Sequence, residues 1–432
     1  MVKERSRLTA RDCGAFAGFP GLLRRRPVAS PPAHACLLAT ALVLLGAAGG
    51  LRAAPFVPTD DAQVLERLPW RAGDAAARDL ASLRAAAASA SAPLAAAVQL
   101  ADRHFDLALE RGDPRHAGYA EAALARANGE RTAEWLTLRG ALRQYRHDFD
   151  GALQDFEAAL AKDPGHAQAH AWRGAVHLVQ ADTTRARQEC EALRRLDRPA
   201  LAGACEGLAL AYSGQLDAGT RALEQALSAA SSAAQRSWLL TRLAEVAAWQ
   251  GRAQQAEARY RAALAMGVES VYLRTAWADF LLDTGRPEAV LQELAGQEAA
   301  DSLLLRLAEA GAVLKRPEAE RWRRTLQDRY AAARARGDTT HRAEEARFEL
   351  RLRGSPPTAL RLAQENYAVQ REPRDARILL ESAVAAGQRA AAQPAIDWLQ
   401  RSGFEDRRMR ELAGLTATPA PSTGSSPGHS AR

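Results

Sequence analysis

The side chains with chemistry to offer are few and scattered along the 432 residues. His166, His170 and His177 form the densest histidine group. A spacing of four on a helix can present two imidazoles to one metal. The hydrolytic pattern needs Glu directly after the first His, and Ala167 stands there instead. With no carboxylate partner in the sequence pattern, His170 and His177 read as packing residues, and no metal or other cofactor is expected. Gly424-Ser425-Ser426-Pro427-Gly428 spells a nucleophile elbow. An elbow needs a strand before it and a helix after it, and a Pro/Ser tail supplies neither. Arg111-Gly112-Asp113 and Arg336-Gly337-Asp338 spell an adhesion tripeptide. Each reads as a helix stop: Arg in the last turn, Gly past the end, Asp opening the next segment. None of the three lysines follows glycines in phosphate-loop spacing. No residue set supports catalysis, so the expectation is that the chain is not an enzyme.

Charge sharpens this. The net charge is +7. Residues 1–53 hold eight Lys/Arg against Glu4 and Asp12, whereas residues 54–432 are balanced to within one charge. Nucleic-acid binding needs a cationic footprint on the folded part, so it is not expected. Arg24-Arg25-Arg26 instead precedes an uncharged apolar run from Ala35 to Leu51, followed by Ala53-Ala54-Pro55. This is the layout of a signal peptide cut after Ala53, or of an uncleaved membrane anchor. Both readings place the remainder outside the cytoplasm, in a bacterial periplasm or an equivalent exported setting. With the leader removed, Cys190 and Cys205 are the two cysteines left. They read either as a disulfide or as two small buried hydrophobes.

The elements that must carry these residues are helical. The chain contains 100 alanines and only 24 aromatics, a composition that favours close-packed helices over sheets. Small residues then recur at a fixed register. Gly140 is followed by Ala152, Phe156 and Ala159; Gly174 by Ala186, Cys190 and Leu193. Gly207 is followed by Gly219, Leu223 and Ala226, and Ala244 by Ala256, Tyr260 and Ala263. The starts lie 34, 33 and 37 residues apart. Gly214, Gly251 and Gly285 mark turns between helices, and Gly354 and Gly387 keep that role later. Two such short helices are marginal alone, so units must stack.

This pattern resembles the tetratricopeptide repeat, a 34-residue helix–turn–helix unit. Gly140, Ala152, Phe156, Ala159 and Pro164 fill its five signature positions. The resemblance implies an all-α solenoid of about eight or nine units. Clear units are expected over 133–300, divergent ones over 301–413, where Trp322 and Tyr330 fit the register poorly, and a degenerate one over 93–132. A lead-in with an alanine-rich helix is expected over 54–92 and a disordered tail over 414–432.

In that family the first helix of each unit lines a concave groove that takes a protein or peptide. Its groove positions correspond here to Thr137, Ala141, Gln144 and Tyr145, then Tyr212, then Trp238, Thr241, Glu245 and Trp249. Tyr272, Thr275, Asp279 and Asp283 follow. The Lys and Asn that clamp acidic chaperone tails are missing from these positions. What remains is an aromatic strip flanked by carboxylates, with Trp238, Trp249 and Tyr272 either gripping a partner or packing between helices. The same register sets Cys190 on a second helix beside Cys205 on the following first helix. The function expected is an exported scaffold for protein partners, in an envelope or secretion assembly. An anchored assembly factor and an enzyme with a site in 301–345 are the alternatives.

Overall fold

Helical periodicity resolves into twenty α-helices and one short 3-10 turn among the described residues of the computed structural model, which are 60, 75–88 and 93–415. The expected leader and the Gly424–Gly428 motif lie outside the described residues. Helix α1 (Ala75–Ala87) precedes nine helix pairs. The first three pairs are α2 (Leu94–Arg111) with α3 (Pro114–Arg126), α4 (Ala133–Tyr145) with α5 (Phe149–Lys162), and α6 (Ala167–Val179) with α7 (Thr183–Arg195). Next come α8 (Pro199–Tyr212) with α9 (Leu216–Ala229), α10 (Ala233–Trp249) with α11 (Ala253–Ala265), and α12 (Val271–Asp283) with the short α13 (Pro287–Glu293). The last three are α14 (Asp301–Val313) with α15 (Glu318–Ala335), α16 (Arg342–Arg351) with α17 (Pro356–Tyr367), and α18 (Pro373–Ala385) with α19 (Gln393–Ser402). Helix α20 (Arg407–Leu412) closes the fold.

The small residues act by letting paired helices touch. A Cβ added at Gly140 would sit 2.5 Å from the Phe156 ring, and one at Gly207 would sit 2.6 Å from Leu223. Phe156 and Leu223 are wholly buried. Removing a buried Phe side chain costs about 3–5 kcal/mol, which sets the scale of what the Phe156 contact is worth. Between the helices the backbone turns through a left-handed residue, with the next N–H reaching back to the first helix. The Asp148 N–H donates to the Arg143 carbonyl at 2.9 Å, and the Gln215 N–H to Leu210 at 2.9 Å. Asp148 and Asp182 then cap the following helices through their side chains.

The two adhesion-like tripeptides are such punctuation. Gly112 and Gly337 have φ of +64° and +71°. Asp113 accepts from the Arg115 N–H and Asp338 from the Thr340 N–H, both at 3.0 Å.

First helices of successive units lie side by side and form the inner wall, while second helices lie outside. The curl is tight enough to bring the last units back onto the first. One continuous hydrophobic cluster includes residues from Ala97 to Val246 together with Ala346 and residues from Leu360 to Ala413. In the divergent region Trp322 and Tyr330 are buried, with Trp322 against Gly311 and Tyr330 packed edge-on against Phe348. The eighteen-residue α15 shifts the aromatic away from the position where the shorter units keep it.

Candidate functional site

Several first-helix residues picked out by the repeat register contact the protein's own C-terminal units. Tyr145 and Thr137 are buried on the inner wall, Tyr145 edge-on against Phe105 of α2. The Tyr212 hydroxyl donates to Glu372 at 3.1 Å. Trp249 lies against Tyr212 and against Phe404, with ring centroids 6.1 and 5.3 Å apart. At the end of α12, Asp283 accepts from Arg377 and from Arg408, which belong to α18 and α20. The Arg371 N–H donates to the Val179 carbonyl at 2.8 Å, and Gln370 meets His147 at 3.2 Å. Tyr145, Tyr212, Trp249 and Asp279, expected to face a partner, are engaged within the chain.

The middle of the wall is a polar cluster. Arg242 on α10 is 2 % exposed. It donates to Glu245 at 2.9 Å and to the Tyr272 hydroxyl, which in turn donates to Glu245. Its guanidinium lies 4.3 Å from the Tyr272 ring centre and 5.3 Å from that of Trp238, so these rings clasp a cation. Thr241 is buried and turns its hydroxyl to the Ser237 carbonyl at 2.8 Å. Asp279 sits between Arg306 at 2.8 Å and Arg347 at 2.6 Å. Burial opposes its ionisation, but the two guanidiniums outweigh that and hold the carboxyl well below the usual carboxylate range.

Sequence reasoning missed Arg242, Arg306, Arg347 and the acceptor Glu372. A signal was present for the first two. Each is a lone charge inside an apolar run, in Leu239-Leu240-Thr241-Arg242-Leu243 and Leu304-Leu305-Arg306-Leu307. A charge in such a place needs a buried partner.

Elsewhere the candidate chemistry is structural. His170 does have a carboxylate partner, contrary to expectation: its Nδ1 lies 2.6 Å from Glu189, which also accepts from Arg173 at 2.8 Å. His177 is buried on the same helix. Among the described residues no three His, Cys, Asp or Glu side chains gather as metal ligands. Cys190 and Cys205 are joined as a disulfide, with Cα atoms 5.3 Å apart. It ties α7 to α8.

A cavity of about 700 Å³ opens where the terminal units meet the wall, between the ends of α6 and α8 and helices α17 to α19. Tyr212, Tyr367, Trp398, Arg371, Arg401 and Asp397 line it.

The fold defines the class: an all-helical solenoid of tetratricopeptide-like helix–turn–helix units. Among known proteins, no family model and no curated protein matches the chain. Three solved structures are similar in outline. One, from "Functional Characterization of Pseudomonas Aeruginosa pilF", is 19 % identical, with a TM-score of 0.36 over 46 % of this chain and 92 % of that one. The Cut9–Hcn1 hetero-tetramer of the APC/C is 14 % identical, with a TM-score of 0.34 over 66 % and 62 %. The TPR domain of P58(IPK) is 15 % identical, with a TM-score of 0.24 over 65 % and 96 %.

Proposed function

We propose that this protein is an exported scaffold for protein partners, whose binding groove is occupied at rest by its own C-terminal units. The observation that carries this is the pairing of Tyr212 with Glu372 and of Asp283 with Arg377 and Arg408. Residues that the repeat register assigns to partner contact already hold a helix. The resident helices therefore describe the ligand: an amphipathic helix with a carboxylate for Tyr212, guanidiniums for Asp283 and an aromatic for Trp249. A partner bearing that pattern takes the groove when the terminal units lift.

Two features support export. The leader has a basic start, an apolar run and a small-residue exit. The Cys190–Cys205 bridge suits an oxidising compartment. Within a bacterial envelope the scaffold would serve an envelope or secretion assembly, released if the leader is cut and anchored if it is not. It binds; it does not turn over substrate.

Asp283→Arg tests the groove reading, because it sets a third cation against Arg377 and Arg408. Partner capture by the variant, compared with wild type by quantitative mass spectrometry, should rise as the groove is freed. Equal capture by two proteins that differ in openness by small-angle scattering would discard the reading. The N-terminal residue of the exported protein separates release (Ala54) from anchoring.

A further inference from the structure

The cavity at the seam between the terminal units and the wall is, Tyr212 apart, a separate feature from the register-defined groove positions. Its volume of about 700 Å³ falls in the range of small-molecule sites. Its walls are fixed from behind. Trp398 is packed against Phe404, ring centres 4.9 Å apart. Tyr212 is held by its bond to Glu372, and the backbone of Arg371 is pinned to Val179. Such a pocket exists before any ligand arrives, which reduces the ordering cost of binding.

Three polar groups lining it are unspent. Tyr367 is only 5 % exposed, yet its hydroxyl has no hydrogen-bond partner among the described residues, and it lines the cavity. The ring is buried while the hydroxyl is not among the enclosed, unpartnered atoms, so it is open to an acceptor on a ligand in the cavity. Arg401 makes no hydrogen bond or ion pair among the described residues, although Asp397 lies one helical turn away on the same helix. The terminal guanidinium nitrogens of Arg371 likewise lack a partner there; its Nε reaches the Tyr367 carbonyl at 3.4 Å. Asp397 accepts from Gln393 at 2.7 Å. Two cations, one hydroxyl donor and one carboxylate thus line one cavity together with the Tyr212 and Trp398 rings.

We propose that this cavity binds a monocarboxylate with an aromatic or bulky apolar body, its carboxylate on Arg371, Arg401 and the Tyr367 hydroxyl and its body against Trp398 and Tyr212. Guanidinium forks match a carboxylate geometrically, and the ring faces take the apolar part. Asp397 at the rim disfavours a second negative charge on the ligand. A free aromatic acid and the C-terminus of a peptide ending in an aromatic residue share this chemistry.

Calorimetric titration of the mature protein separates the sources and tests the site. The probes are N-acetylphenylalanine, its amide, and a hexapeptide ending in Phe with a free or an amidated terminus. At least one acid should bind, with its amide weaker by about tenfold or more. Tyr367→Phe and Arg401→Gln should each weaken the acid severalfold while leaving the thermal midpoint in place. Tighter binding of the peptide acid assigns the site to a peptide terminus; equal or tighter binding of the free acid assigns it to a small molecule. No binding of either acid, equal binding of acid and amide, or unchanged binding by both variants would overturn the proposal.

Discussion

Gly214 and Ser402 meet backbone to backbone across 188 positions of sequence, so close that a Cβ on Gly214 would lie 1.9 Å from the Ser402 carbonyl oxygen. Gly214 is also left-handed, at φ +82°. Gly251 occupies the equivalent turn of the next unit at φ +71°, with open space where a Cβ would go. The pair separates two effects. Gly251→Ala should cost only the left-handed backbone term, about 1–2 kcal/mol. Gly214→Ala adds a clash with main chain that no rotamer relieves, so it should lose more in urea denaturation. It should also expand the protein in small-angle scattering, because the terminal units must back away. Equal behaviour of the two variants would mean that the groove is not closed at this point.

Asp279, expected to face a partner, lies between Arg306 and Arg347. Arg306 is 4 % exposed, while the Asp279 side chain keeps 30 %. Breaking a buried ion pair costs about 3–5 kcal/mol. Glu344 and Glu309 remain as partners for the two arginines, so Asp279→Asn should fall near the lower end of that range. Asp217, paired with Arg252 but 67 % exposed, is the control: Asp217→Asn should shift stability by less than about 1 kcal/mol. Chemical denaturation of both variants measures the contrast.

Much of the fold was legible because repeats write the same packing rule several times. Gly140 and Gly207 announced the helix pairs, and Gly214, Gly251, Gly285, Gly354 and Gly387 announced the turns, all with φ between +60° and +82°. Other turns were silent because His147, Ala181 and Lys315 adopt the same left-handed backbone, at +58°, +62° and +53°, without being glycine. The contacts between the C-terminal units and α12 were illegible for a related reason. Arg377 and Arg408 reach Asp283 over 94 and 125 positions, and on a helix surface they look like any other solvated arginines. Periodicity reports which face of a helix is buried, not which distant helix buries it.

The disulfide makes a prediction that is independent of the groove. Cys190 and Cys205 are 15 positions apart, and closing a loop of that length limits the unfolded chain by about 3 kcal/mol in the entropic account. Cys190 is fully buried and Cys205 nearly so. Replacing both by Ala should therefore lower the urea midpoint, and reductant should lower the midpoint of wild type but not of the variant. A wild-type midpoint indifferent to reductant would show that the thiols are free in solution.

His147 links closure to pH. It stacks on Phe149, meets Gln370 of the terminal units and is left-handed at φ +58°. Burial, aided by the nearby charges of Arg374 and His341, pushes its imidazole down to about 3. The unfolded chain takes up this proton near 6.5, the ordinary value. Stability tied to the neutral ring is therefore complete above 6.5 and is lost as pH falls from 6.5 through about 3. His104, pushed down to about 4 by burial, acts in the same sense. Asp375, lifted to about 6 by burial, acts in the opposite one, so the wild-type profile alone is mixed. His147→Asn removes one contribution and keeps a residue that tolerates the left-handed backbone. The two proteins should differ by a constant offset above pH 6.5. Below it, wild type should lose stability relative to the variant, and the departure from that offset should grow steadily through urea titrations at about pH 5.5 and 4.5. A pH-independent offset would show that His147 remains open to water and that the terminal units do not cover it.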